Sequence, residues 1–260
     1  MNYKLWLGVS VFSVFTALAS PAAAEVPWSE KHYNPVPLED DVILPMPCNG
    51  SMVFRKIFIP SSNPLDDYSI QLGQDSDVWG YVEHTRPTFL AGSFSEQNKQ
   101  LRYYLISKYE VTMLQYKALM DEECVASSNK LRLPVVSKSW FNAMQVADKY
   151  NLWLREQAPQ AIPLEDGVMG FVRLPTEEEW EFAARGGLEV SSAEFRDMRY
   201  PMPEGINNYE WFGGAQSANG KLQLSGLLKA NPLGLHDMLG NASEMMFESF
   251  RLNKLDRTHG

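Results

Sequence analysis

The chain has 260 residues, 45% of them hydrophobic and 21% charged, with a formal net charge of -9. A protein of that length buries a core without help from a metal, and the composition excludes disordered, collagenous and coiled-coil proteins. The acidic balance, with no basic stripe, excludes non-specific nucleic-acid binding and docking on an anionic lipid surface.

The N-terminus reads as a secretory signal. Lys4 supplies the basic start, residues 5–18 form an apolar run, and Ala22, Ala23 and Ala24 supply the small residues of a cleavage site. The run is too short to span a bilayer comfortably, so residues 1–24 are expected to be a cleaved signal peptide, with an uncleaved anchor as the alternative. No Cys follows at the cut, which argues against a lipoprotein anchor. The mature protein is expected in a bacterial periplasm, without a membrane anchor. Its two Cys residues, Cys48 and Cys124, form an even pair in an oxidising compartment. That predicts a disulfide, two separately buried thiols being the alternative. Neither Cys has zinc-ligand spacing.

Residues 25–50 are Pro-rich and expected to be an irregular, extended lead-in to a domain over residues 51–260. Residues 52–59 alternate and are rich in Val, Phe and Ile, which predicts a strand ending at Pro60. The polar stretch 61–76 reads as a surface loop. Residues 101–109 predict a second strand. Thr112 is placed to cap a helix over 113–121, and Ser139 to cap one over 140–156. Thr176 with Glu179 forms a capping-box pattern, and Glu177, Glu178 and Glu179 sit at the positive end of the helix dipole. Gly186 and Gly187 stop that helix. Residues 189–228 are loop-like. Short helices, few strands and much irregular structure argue for one α+β domain of low regular content.

Four segments carry a resemblance. They are Tyr109-Glu110-Val111-Thr112, then Pro134-Val135-Val136 with Ser139-Trp140, then Arg173-Leu174-Pro175-Thr176 through Trp180 to Arg185-Gly186-Gly187, and last Asn231-Pro232-Leu233-Gly234 through Gly240-Asn241 to Glu244. Together they resemble the formylglycine-generating enzyme family, or sulfatase-modifying factor domains, over about residues 50–250. The resemblance implies a single α+β domain with a fold related to C-type lectins. Within the motif, Trp180, Phe182 and Trp140 are expected as core anchors. Arg173 and Arg185 are expected to pair with Glu179, Glu181 or Glu110, fixing geometry more than adding stability.

The same resemblance implies a calcium site in the last segment. Carbonyls of Leu239, Gly240 and Ala242 and the carboxylate of Glu244 would hold the ion, with Asn241 bracing the loop. Oxygen donors of this kind suit calcium. The alternative is that Glu244 pairs with an Arg and no ion binds. The usual Trp positions of that segment are Ser243 and Met245 here, which departs from the family pattern. The family's enzymes use a downstream Cys pair that binds copper. No Cys lies beyond Cys124, so copper is not supported by this sequence and no catalytic residue is assigned. Of the four His residues, none has facial-triad spacing, and His236 is read as structural.

A narrower likeness, to the periplasmic TagR-type proteins of type VI secretion loci, rests on the Cys48 region, Trp79-Gly80-Tyr81, the stretch from Arg86-Pro87 to Phe94, and the altered loop 241–244. It implies a binding or regulatory module acting upstream of a membrane Ser/Thr kinase, partnered by a kinase sensor domain or a lipoprotein. The competing expectation is an oxygen-dependent oxidase whose cysteines lie in a C-terminal tail beyond Gly260, the 260 residues being a truncated piece.

Overall fold

A computed structural model describes residues 27–61, 67–73, 85–96 and 100–248. The signal segment, the cleavage position at Glu25, Trp79-Gly80-Tyr81, His84 and His259 lie outside the described residues.

The elements follow in chain order as α1 (Glu30–Tyr33), β1 (Val42–Met46), β2 (Gly50–Pro60), β3 (Tyr68–Leu72), β4 (Arg86–Leu90), β5 (Phe94–Ser95), β6 (Leu101–Ser107), α2 (Met113–Tyr116), α3 (Trp140–Gln157), β7 (Leu164–Glu165), β8 (Val168–Met169), α4 (Glu177–Ala184) and α5 (Ser192–Phe195). The main sheet is antiparallel in the order β1-β2-β6-β5, and β3 with β4 and β7 with β8 form two separate pairs. Beyond α5 the described residues run in turns, bends and one short 3-10 turn at Ile206–Asn208.

The strand β2 explains the two-sided core. Successive residues of a strand face opposite sides. Met52 and Phe54 join one apolar cluster with Trp28, Leu44, Met46, Tyr150 and Leu154. Ile57 and Ile59, of the other parity, join a second cluster with Leu72, Tyr104, Phe182 and Leu235. Thus α3 covers one face and α4 the other. Fully buried large apolar side chains each contribute about 1.5–3 kcal/mol by leaving water.

Local signals place the helix starts where the sequence predicts them. Thr112 and Thr176 each complete a capping box, with Gln115 and Glu179 respectively, and Ser139 accepts from the Asn142 amide. The helix after Thr112 widens into a π turn over Lys117–Asp121, ending at Glu122 with φ 55°. Cys48 and Cys124 are joined, with Cα atoms 5.0 Å apart, so the disulfide expectation holds.

Three expectations need correction. The lead-in 25–50 is not irregular throughout: it holds α1 and β1, and β1 is paired along its length with β2. Pro45 stands in an edge strand, where a missing N–H costs no ladder bond. The stretch 61–76 holds β3, whose Ile70 and Leu72 are buried while Ser69 and Gln71 are not. Trp140 is exposed, its indole N–H donating to the Met246 carbonyl at 2.9 Å, whereas Phe182 is buried and Trp180 packs partly buried against the second cluster.

Candidate functional site in the loop after residue 231

The last described segment is shaped by one side chain. Asn231 Oδ1 accepts from the amides of Leu233 and Leu235, both at 3.0 Å, and its Nδ2 donates to the Ala183 carbonyl of α4 at 2.8 Å. This fastens the loop to the helix behind it. Arg55 Nε donates to the Leu233 carbonyl, and the His236 amide donates to the Lys108 carbonyl just past the end of β6. Asp237 and Asn241 then adopt left-handed backbone, φ 58° and 64°, which lets the backbone turn tightly.

Gly240 sits between these two strained positions. A Cβ there would lie 1.9 Å from the Trp211 carbonyl oxygen, so only glycine permits the approach. The Asn241 amide donates to that same oxygen at 2.9 Å. Asn241 also holds the neighbouring loop: Gln223 N donates to its Oδ1 and its Nδ2 donates to the Gln223 carbonyl.

Glu110 is the centre of the arrangement. Its carboxylate accepts from Asn241 Nδ2 at 2.8 Å, from the Ala242 amide at 2.9 Å and from Ser225 Oγ at 3.0 Å. The three donors come from two loops more than a hundred residues away in sequence, so Glu110 braces the turn from behind. Both arginines of the motif pair as expected, using two of the three candidate partners: Arg173 binds Glu179 at 2.6 Å and Arg185 binds Glu181 at 2.7 Å. Glu110 binds the loop instead.

The electrostatics are unusual. Burial, with the charge of Asp237 beside it, raises the Glu110 carboxyl to about 8. Burial raises Glu210, which accepts from Tyr200 and the Leu239 amide, to about 7. Asp237 accepts from the Gly226 amide and is raised by burial to about 6. Glu244 is pushed well above the usual carboxylate range by burial and then by the neighbouring charge of Glu110. Among the described residues Glu244 makes no ion pair, so the expected alternative partner, an Arg, is not found there. The same carboxylates do not gather closely: among the described residues no three His, Cys, Asp or Glu side chains form a ligand group.

Leu239, Gly240, Asn241, Ala242 and Glu244 line one wall of a cavity of about 590 Å³, faced by Trp180, Trp211 and Phe212. The carbonyls of Leu239, Gly240 and Ala242 accept no hydrogen bond among the described residues. Carbonyl oxygens without a hydrogen bond among the described residues, in the same segment as a carboxylate raised by a neighbouring charge, are the kind of oxygen donor that calcium takes. His236 is stacked on Tyr109 with ring centroids 5.0 Å apart, and its Nδ1 lies 2.9 Å from the Leu228 carbonyl, so its part is structural. Sequence reasoning singles out the turn, Glu110 and Asn241. It misses Glu210, Asp237 and Ser225 as parts of the site, which carry no spacing signal because three different loops deliver them.

The fold and this loop-built polar site define a mixed helix-and-sheet domain whose irregular C-terminal half is fastened onto a small antiparallel sheet. The chain belongs to the sulfatase-modifying factor enzyme 1-like domain family, whose model matches residues 71–259. It is 26% identical over 187 residues to "Chaperone protein LppX" of Paenibacillus barcinonensis, covering 60% of this chain and 66% of that protein. It is 30% identical over 131 residues to "Inactive C-alpha-formylglycine-generating enzyme 2" of Mus musculus, covering 47% of this chain but 34% of the mouse protein. The chain therefore spans less than two thirds of the length of these relatives. Among solved structures, CarF matches with a TM-score of 0.50 at 23% identity, over 76% of this chain and 82% of its own, which is a likeness of fold.

Proposed function

We infer that this protein is an exported, non-catalytic member of the family that acts as a periplasmic binding and regulatory module. One observation carries the reading: the sequence holds two cysteines, and Cys48 and Cys124 are bonded to each other. A copper-thiolate oxidase needs free thiolates, and a disulfide supplies none. The relatives point the same way, one being called a chaperone and another an inactive enzyme.

The narrower reading is a regulator in a type VI secretion locus, upstream of a membrane Ser/Thr kinase, with a kinase sensor domain or a lipoprotein as partner. Deleting the protein then lowers kinase-dependent phosphorylation; an unchanged level removes this role. In the same reading the carbonyls of Leu239, Gly240 and Ala242 with the Glu244 carboxylate hold calcium, and Asn241 braces them. The ion supplies positive charge that offsets the carboxylates behind the loop and so stiffens this face for a partner.

The competing reading is an oxidase whose cysteines lie in sequence following residue 260. It is favoured by the family itself, whose description is that of an enzyme-like domain. Intact mass of the native protein, with alkylation before and after reduction, separates the two. Uptake of two alkyl groups after reduction alone supports the module; uptake of more supports the oxidase.

A further inference from the structure

The sequence holds two Asn-Gly pairs, Asn49-Gly50 and Asn219-Gly220, and the fold treats them differently. Asn219 and Gly220 are the central residues of a two-residue turn, with φ 51° and 71° and the Lys221 amide donating to the Ala218 carbonyl at 3.0 Å. That is the type I′ geometry Asn-Gly favours. Both residues are exposed. The Gly220 amide is at the position whose N–H the turn does not use, and it donates to no acceptor among the described residues. A Cβ built on Gly220 would meet nothing within 4 Å, so no neighbour crowds the glycine, while the Asn219 amide donates to the Gly214 carbonyl at 3.2 Å.

At the other pair the glycine nitrogen is held. Asn49 follows Cys48 in the β1–β2 turn, and the Gly50 amide donates to the Pro47 carbonyl at 3.1 Å. Gly50 is buried under the Trp28 indole, 2.7 Å from where a Cβ would stand. The disulfide at Cys48 fastens the turn further.

We propose that Asn219-Gly220 is a site of spontaneous deamidation in the folded protein and that Asn49-Gly50 is protected. The Gly220 nitrogen gives up its proton to hydroxide and attacks Cγ of the Asn219 amide. A new bond from that nitrogen to Cγ closes a cyclic imide, the bond from Cγ to Nδ2 breaks, and Nδ2 takes a proton and leaves as ammonia. Water then opens the ring at either carbonyl, giving Asp or isoaspartate. The sum is one water consumed and one ammonia released, with no oxidant or reductant. The new carboxylate stands in the loop 211–223, whose two ends are hydrogen-bonded to Asn241. The modification therefore adds negative charge to the loop facing the candidate site.

The test is to incubate the intact, oxidised protein at mildly alkaline pH. Peptide mapping follows both pairs by mass, and an isoaspartate methyltransferase assay follows the isomer. Conversion at Asn219 is expected on the order of ten-fold or more faster than at Asn49, because Asn49 reacts only after local opening. In reduced, unfolded protein the two rates should converge. Equal rates in the folded protein, or an intact Asn219 over a time in which the unfolded protein is modified there, overturns the proposal. Gly220→Ala should slow conversion at 219; because φ 71° strains alanine there, the folded-against-unfolded comparison in the native sequence stands as the independent readout.

Discussion

Lys108 and Glu110 stand two residues apart just past the end of β6, and both are enclosed in polar clusters of opposite character. On the Lys108 side the charges are matched. Lys108 Nζ is 2.7 Å from Asp41 Oδ2, and Arg55 bridges Asp41 at 3.1 Å and Asp40 at 2.5 Å. Burial pushes the Asp41 carboxyl up, but the hydrogen bonds from Lys108, Leu38 and Asn34 outweigh it and hold Asp41 below the usual range. On the Glu110 side the donors are mostly neutral amides and hydroxyls, and the carboxyls of Glu110, Glu210, Asp237 and Glu244 are all raised. The comparison teaches that burial alone does not set a carboxylate's state; the charge of its partners does. The matched cluster fastens the N-terminal segment to the sheet, and the raised carboxyls of the unmatched one are what the proposed calcium would offset.

The sharpest way to break this contrast is Lys108→Met. It leaves Asp41 buried with Arg55 as its remaining cation, and removal of one partner of such a pair costs about 3–5 kcal/mol. Urea unfolding measures it, and Lys108→Met with Asp41→Asn should regain part of the loss. A cost near zero would mean that the pair is not buried as described.

Calcium comes next. If the loop 239–244 binds the ion in the folded state only, calcium at a hundred times its dissociation constant stabilises by about 2.7 kcal/mol. A calorimetric scan with calcium and with chelator checks this, and Glu244→Gln should abolish the response while leaving the fold. No calcium shift in the native protein would remove the ion from the proposed function.

Above about pH 8, where Glu110 is ionised, Glu110→Gln is expected to cost about 1–3 kcal/mol, because an amide cannot accept all three donors and sets its own N–H₂ against them. Its unfolding by urea should be accompanied by loosened hydrogen exchange at Ala242 in the native state. Ordinary protection there would show that the loop holds without its brace.

The smallest effect concerns acid. Asp40 and Asp41 are held below their ordinary value of 3.8, Asp40 chiefly by the hydrogen bond from Arg55. A depressed carboxylate contributes stability that is complete above the unfolded value and lost as pH falls through the folded one. Stability should therefore drop as pH falls below 3.8, and Asp41→Asn should flatten that part of the curve.

Parts of this architecture are legible in the sequence. Thr112, Ser139 and Thr176 announce three helix starts, and the apolar patterns of β2 and β6 announce two strands. β3 is hidden because its segment is polar overall and its two buried residues, Ile70 and Leu72, are too few to mark a period against Ser69 and Gln71. β1 is hidden by Pro45 within it and by the other prolines of residues 25–50 around it. Glu110 stands out in its motif, yet an Arg is the partner to expect there, because opposite charge is the simplest match for a buried carboxylate when the distant loops are unknown.

Caps, turns and alternation span three or four residues and can be read along the chain. The chain also carries the motifs that place the protein in its family. That Lys108 meets Asp41 across 67 residues and Glu110 meets Ala242 across 132 is settled by the packing of distant segments. That packing alone brought the Trp211 carbonyl against Gly240, and it alone left one Asn-Gly pair open and closed the other. The physical reason is that local hydrogen bonds and strand periodicity are written in neighbouring residues, whereas the pairing of a buried charge depends on which distant loops the packed sheet brings to it.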